Sequence, residues 1–280
     1  MWSSLLLSYL FPITVAARIG AGARSLRSLE FNFHLSKMRP KLLIIGHVDS
    51  RGRHGLAADL RAAEKLGAEP LPVVTSYAFT GREGTGALRP VWGGTLARQL
   101  SAALDQEPEA ALIGVVGRAR HAKLIAQQLA ERGPSAIVLA PMPSAFDIAP
   151  LVNVRLFSAV RRQLIPEARA VVLEARNAPA LMGLGGESFE DLRNIGQKIL
   201  DLGAGAAWIR GVPNQSRRVD VLVDQDGSGL LDYQPASGDV EPHTAAASLA
   251  ALLALGTKLR EAIDRAHRHA YSLDRDFYPV

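Results

Sequence analysis

The chain has 280 residues, 48% of them apolar, 21% charged and 6% aromatic, so it can bury a large aliphatic core and is neither a disordered tail nor a fibrous repeat. The formal charge of +5 is weighted toward the start, where Arg18, Arg24, Arg27 and Lys37 face Glu30 alone; beyond it, basic and acidic side chains alternate without a basic run interleaved with aromatics, which argues against nucleic acid as a partner. With no cysteine there is no disulfide, thiolate metal site or cysteine nucleophile.

Residues Leu5 to Ala17 form an apolar stretch followed by an Arg- and Ser-rich one. It is too short to span a membrane and contains Pro12. It lacks the positive start of a signal peptide, although Val15-Ala16-Ala17 has cleavage-site character, and as an organelle address it is weak. Met38 directly precedes Arg39-Pro40-Lys41 and the first strand-like run. Residues 1–37 are therefore expected to be a leader, disordered or from a misassigned start, and residues 38–280 one domain.

From there apolar runs alternate with amphipathic stretches in the manner of βαβ units, which predicts a mostly parallel central sheet with helices on both faces. In chain order the spacing predicts strand Leu42–Ile45, helix Leu56–Leu66 and strand Leu71–Val74. Residues Ser76–Pro90, with Gly81, Gly84 and Gly86, read as a long flexible lid. Then follow helix Thr95–Leu104, strand Ala111–Val115, helix Ala119–Arg132, strand Ala136–Leu139, helix Val154–Leu164 and strand Ala170–Leu173. Helix Phe189–Leu202 opens on the capping box Ser188-Phe-Glu-Asp191 and closes on Gly203. Strands Ala206–Ile209, Val219–Val223 and Leu230–Tyr233 and helices Ala245–Leu255 and Leu259–Tyr271 complete the order, with Gly256 between the last two. Asp224-Gln-Asp226-Gly-Ser228 resembles the start of a calcium loop, but Pro235 stands where a bidentate glutamate is needed, so it reads as a hairpin turn. His267 and His269, two apart on a helix, point to different faces and make no metal pair.

The most informative stretch is Gly46-His47-Val48-Asp49-Ser50-Arg51-Gly52-Arg53-His54-Gly55-Leu56-Ala57-Ala58-Asp59-Leu60. A strand running into a glycine-rich turn and a helix start lets backbone approach a ligand and favours anions. With one inserted residue it resembles the Gly-Ser-Asp-x-Ser-Gly-Gly-Ala-Gly-Ile-Gln-Ala-Asp-Leu motif of the hydroxymethylpyrimidine and phosphomethylpyrimidine kinases of thiamine synthesis, which have the ribokinase-like fold. Leu66-Gly67-Ala68, Val74-Thr75, Ile113-Gly114, Leu202-Gly203-Ala204 and Arg210-Gly211 extend the likeness over residues 41–271.

The resemblance implies a cytoplasmic, dimeric, ATP-dependent kinase, using Mg2+ if active, with a small-molecule pyrimidine as substrate and no membrane contact. It places the pyrimidine at Asp49, Gly52, Gly55, Thr80 and Met142 and the nucleotide at Arg210 and Gly211. Its catalytic motif His-Gly-Thr-Gly-Cys, whose helix-start amides stabilise the transferred phosphoryl group, falls on His243-Thr244-Ala245-Ala246 after Pro242. Here Thr244 remains, Ala245 and Ala246 replace glycine and the reactive residue, and His243 is the only nearby candidate base. The family's Asp-Pro-Val-Met becomes Ala140-Pro-Met-Pro143, and its Lys becomes Phe146. Thr-Pro-Asn-Leu-Pro-Glu-Ala becomes Leu173-Glu-Ala-Arg-Asn-Ala-Pro179, leaving Glu174 or Asp147 as the visible acids for magnesium and no assigned metal site. Two readings follow: a kinase of the thiamine pyrimidine, or a non-catalytic relative that keeps its pocket for binding, regulation or assembly.

Overall fold

Strand β1 (Lys41–Asp49) sets the plan of the molecule. Leu42 and Ile44 lie on one face of it, Leu43 and Ile45 on the other, and all four are fully buried. A strand that is apolar on both faces requires a covering layer on each side, which is the parallel-sheet arrangement. The computed structural model describes residues 39–52, 54–81, 84–141, 154–215, 217–231 and 243–277; the expected leader, residues 1–37, lies outside them.

The elements after β1 are α1 (Leu56–Lys65), β2 (Glu69–Gly81), β3 (Gly84–Pro90), α2 (Gly93–Leu104), β4 (Ala110–Ile113), α3 (Ala119–Arg132), β5 (Ala136–Leu139) and α4 (Val154–Gln163). Then come β6 (Ala170–Glu174), α5 (Ala178–Met182), α6 (Phe189–Asp201), β7 (Ala206–Asn214), β8 (Arg217–Asp224), β9 (Gly227–Leu231), α7 (His243–Ala254) and α8 (Leu259–Phe277). The strands form one sheet in the order β3-β2-β1-β4-β5-β6-β7-β8-β9. The six from β2 to β7 in that order are parallel neighbours, and β3, β8 and β9 add antiparallel pairs at the two ends.

Two apolar layers cover the sheet. One includes Leu43, Ile45 and Val171 with side chains of α2, α3, α4 and α6; the other includes Leu42, Ile44, Val172 and Trp208 with side chains of α1, α7 and α8. α7 is apolar almost all round and correspondingly deep: Ala245, Ala246 and Ala247 are at most 1% exposed. Its buried Ser248 hydroxyl is within 2.9 Å of His269 Nδ1. The capping box at Ser188 and Asp191 is formed as expected, and Gly203 follows α6 with φ +112°. The calcium-like segment is a hairpin turn between β8 and β9, with Asp224 Oδ1 accepting from the Asp226 amide at 2.9 Å.

The expected irregular lid is instead an antiparallel ribbon. β2 continues to Gly81, and Ser76, Tyr77, Ala78 and Phe79 pair with Pro90, Arg89, Leu88 and Ala87 of β3. The alternation is that of a strand, with Ser76 and Ala78 buried while Tyr77 and Phe79 are exposed. Its base is fixed by a bulge: Gly46 faces Val74 and His47 faces Ser76, so Thr75 is the extra residue. The Thr75 hydroxyl donates to the Val115 carbonyl at 2.7 Å, and Gln99 takes the Val74 amide at 3.0 Å. α5, absent from the expected order, is five residues long, too short to show a period.

Candidate active site

Two groups of polar side chains lie at the carboxyl ends of the parallel strands. The first grows out of β1. Past Ile45 the strand carries His47 and Asp49, both nearly inaccessible, and then turns sharply, with the Gly52 amide donating to the Asp49 carbonyl at 3.0 Å. Gly52 and Gly55 have φ of +66° and +58°, backbone that side-chain-bearing residues adopt only with strain. At Gly55 glycine is required twice over, because a Cβ there would lie 2.4 Å from the His47 carbonyl oxygen and 2.7 Å from its ring. The turn thus folds back on the strand it leaves, bridging Val48 to Gly55, and Gly55 serves as the N-cap of α1, its carbonyl accepting from Ala58 and Asp59. Arg61 donates to the Gly52 carbonyl at 3.0 Å and secures the outer limb.

Burial holds the imidazole of His47 at a pKa of about 4, an effect that Asp49 opposes and His54 deepens. It is a neutral ring at neutral pH, packed under the turn as part of its floor. Asp59, in the first turn of α1, is also buried, where a carboxylate suits the positive end of the helix.

The second group spans β6, β7 and β8. Period-two alternation puts Glu174 on the face of Val172, Arg210 on that of Trp208, and Asp220 on that of Leu222, all toward the layer containing α8. Glu174 and Arg210 are partners in register, and between Ile209 and Val212 the pairing of β7 with β8 shifts, leaving a bulge at Arg210-Gly211 with Gly211 at φ +68°. Asp220 fills that bulge. Its Oδ1 accepts from the Gly211 amide at 2.9 Å and its Oδ2 from Trp208 Nε1 at 3.0 Å, with Arg210 Nε and His267 Nε2 each at 3.5 Å. The Arg210 guanidinium also stands 5.5 Å from the Trp208 ring centroid and 3.7 Å from Glu174 Oε1. Burial raises the pKa of Glu174, against the pull of Arg210, Arg176 and Arg218.

The residues named from the sequence thus divide. Asp49, Gly52 and Gly55 come together at the β1–α1 turn; Arg210 and Gly211 come together with Glu174, and the Arg210 side chain is engaged inside the protein. Thr80 lies near the far end of β2, opposite Thr85. His243 and Thr244 open α7, Ala245 and Ala246 are buried in it, and Met142 and Asp147 lie outside the described residues. Asp220 and Trp208 escaped the sequence reading, which weighed His267 only as half of a metal pair. The signal was present in Val219-Asp220-Val221-Leu222-Val223, where an acid occupies the face of a buried leucine.

Magnesium does not suit the acids seen here. Glu174 stands beside the Arg210 guanidinium, Asp220 accepts hydrogen bonds from Trp208 and the Gly211 amide with Arg210 and His267 at 3.5 Å, and among the described residues no three histidines or acids gather as a metal site.

A mostly parallel sheet with antiparallel strands at both ends, helices on both faces and a glycine turn after its first strand defines the ribokinase-like class of α/β kinases. The sequence model of the phosphomethylpyrimidine kinase family matches residues 49–276. The hydroxymethylpyrimidine/phosphomethylpyrimidine kinase of Bacillus subtilis is 25% identical over 240 residues, 84% of this chain and 88% of that protein. Among solved structures, the phosphomethylpyrimidine kinase of Clostridium difficile 630 superposes with a TM-score of 0.72 at 22% identity, covering 84% of this chain and 99% of that one. The pyridoxal kinase of Staphylococcus aureus, solved in complex with AMP-PCP and pyridoxal, gives 0.72 at 24% identity over 82% of this chain and 85% of its own. The chain belongs to the phosphomethylpyrimidine kinase family. No helix among the described residues is long and apolar enough to cross a membrane.

Proposed function

We propose that the protein is a hydroxymethylpyrimidine/phosphomethylpyrimidine kinase-like protein that takes the thiamine pyrimidine at the β1–α1 turn and ATP on the β6–β8 side of the same sheet edge. The observation that carries this reading is the folded-back glycine turn, with Gly55 seated on the ring of His47 at a place where any Cβ would collide. It offers backbone for a flat heterocycle, with Asp49, Gly52, Thr80 and Met142 as the further substrate residues. By the family relation the protein is cytoplasmic and pairs as a homodimer.

In the reaction the pyrimidine hydroxymethyl oxygen attacks the γ-phosphorus in line. The new O–P bond forms as the bond to the β-phosphate bridging oxygen breaks, ADP leaves, and the hydroxyl proton passes to His243. Thr244 and the first-turn amides of α7 stabilise the charge on the transferred group. Magnesium, where the reaction uses it, would neutralise the phosphates; no step here depends on it. A coupled assay of ADP release by the full chain with ATP, Mg2+ and hydroxymethylpyrimidine tests the reading. Turnover that requires the pyrimidine, and falls about 100-fold in His243→Ala, supports it.

One observation favours a second reading: Ala246 stands at the motif's reactive position with its methyl group buried and no group to move a proton. In that case the protein binds the pyrimidine without releasing ADP and serves in regulation or assembly.

A further inference from the structure

The bulge at Thr75 decides which side chains of β2 stand beside the β1–α1 turn. Residues paired in register lie on the same face of a sheet. His47 pairs with Ser76 and Asp49 with Ala78, and all four are buried; Val48 pairs with Tyr77, which is exposed. The Ser50 amide donates to the Ala78 carbonyl at 3.1 Å, so the ribbon is bonded to the turn itself. A β2 without the extra residue would set Thr75 against His47 and Tyr77 against Asp49. The tyrosine ring would then take the buried face beside Asp49, where the present register places only the methyl group of an alanine.

Gln99 holds this bulge from α2. Its Oε1 accepts from the Val74 amide at 3.0 Å and its Nε2 donates to the Val74 carbonyl at 3.2 Å, so one side-chain amide meets both backbone groups of the residue before the bulge. Thr75 is held separately: its carbonyl accepts from the Val91 amide at 2.9 Å and its hydroxyl donates to the Val115 carbonyl at 2.7 Å. Leu96 and Leu100, both fully buried, seat α2 on the sheet, and Gln99, three residues after Leu96, lies on the same side of the helix. On the β4–α3 side the foot of the ribbon is closely packed, since a Cβ on Gly117 would lie 3.0 Å from Pro90 Cβ and 3.2 Å from Ser76 Cβ. Loss of the Gln99 amide leaves both Val74 groups without their bonds, and the ladder recovers bonds by taking Thr75 into register.

We propose that Gln99 is a positioning residue for the pyrimidine site: it holds Thr75 out of the β1–β2 ladder and so keeps Ser76 and Ala78, and not Tyr77, facing the β1–α1 turn. The proposal rests on the preceding reading for the ligand at that turn, but not for the register, which is a property of the chain without ligand. It also separates positioning from simple stabilisation. A glutamine that only satisfied two backbone groups would lower stability when replaced and leave the faces of β2 as they are; one that sets the register exchanges them.

Because the chain has no cysteine, a single introduced thiol reports the register without any ligand. Tyr77→Cys and Ala78→Cys are made in the full chain, each alone and with Gln99→Met, and the rate of reaction with an aromatic disulfide is measured. With Gln99 in place the thiol at position 77 should react about 100-fold faster than the one at 78, and Gln99→Met should lower that ratio about tenfold. In calorimetry Gln99→Met should weaken hydroxymethylpyrimidine binding about tenfold. Tyr77→Ala, which trims a solvent-facing ring, should leave that binding unchanged on its own and recover most of the loss when combined with Gln99→Met. Where Gln99→Met does not fold, Gln99→Glu, which keeps the bond from the Val74 amide and loses the one to its carbonyl, carries the same comparisons. An unchanged thiol ratio, or a loss of pyrimidine affinity that Tyr77→Ala does not recover, makes Gln99 a structural side chain only and overturns the proposal. Absence of pyrimidine binding by the unsubstituted chain overturns the preceding reading and the positioning role with it, while the thiol ratio still decides whether Gln99 sets the register.

Discussion

The β1–α1 turn and the β6–β8 cluster lie on one edge of one sheet and are built by opposite means. The turn is made by backbone, from two glycines in left-handed conformations and an uncharged histidine ring under them. The cluster is made by charge, from arginines and carboxylates that alternation brings to one face of three neighbouring strands. A site shaped by backbone around a neutral ring tolerates changes of salt but not of side-chain volume or of the ring's charge. One shaped by charge responds to salt at its exposed side chains, while its buried members hold the fold.

The largest expected effect sharpens that contrast. Arg210→Ala leaves Asp220 with its charge uncompensated in the core and should lower the unfolding free energy by about 4 kcal/mol in urea titration, with little dependence on salt. A loss under 1 kcal/mol would place the cluster in solvent contact and break the comparison. Gly55→Ala should cost about 3 kcal/mol, from the left-handed backbone and the collision with His47, and should abolish pyrimidine binding in calorimetry.

The next prediction concerns pH. Because the folded protein holds His47 at about 4, below its ordinary 6.5, the unfolded chain binds more protons between those values, and stability falls as pH drops through them. Acidification from pH 7 to pH 4 should therefore remove about 3 kcal/mol through this residue. His47→Gln should flatten the unfolding free energy against pH by that amount; an unchanged slope would mean that the ring is hydrated. The smallest effect is a control away from both regions: Ser188→Ala removes the capping box of α6 and should cost about 1 kcal/mol by thermal denaturation without altering ligand binding.

How far each region could be read from the sequence follows from the same contrast. The turn is local: Gly46 through Leu60 is one continuous stretch, and its Gly52 and Gly55 mark the positions that need positive φ. The apolar runs of β1, β4, β5, β6 and β7 were equally legible, since each is bounded by punctuation and buried on both faces. The cluster was not, because Glu174, Arg210 and Asp220 become neighbours only when three strands are set in register and a bulge frees Gly211. Glycines also misled in one place: Gly81, Gly84 and Gly86 suggested a loose lid, whereas the alternation of Ser76, Tyr77, Ala78 and Phe79 specifies a paired ribbon.

The most direct test of the account is a crystal structure of the full chain with hydroxymethylpyrimidine and ATP. The account predicts the pyrimidine over the Gly52–Gly55 turn and ATP on the β6–β8 side, next to Gly211, both on the carboxyl edge of the sheet. Ligands seated elsewhere, or a pyrimidine that leaves the turn untouched, would contradict it.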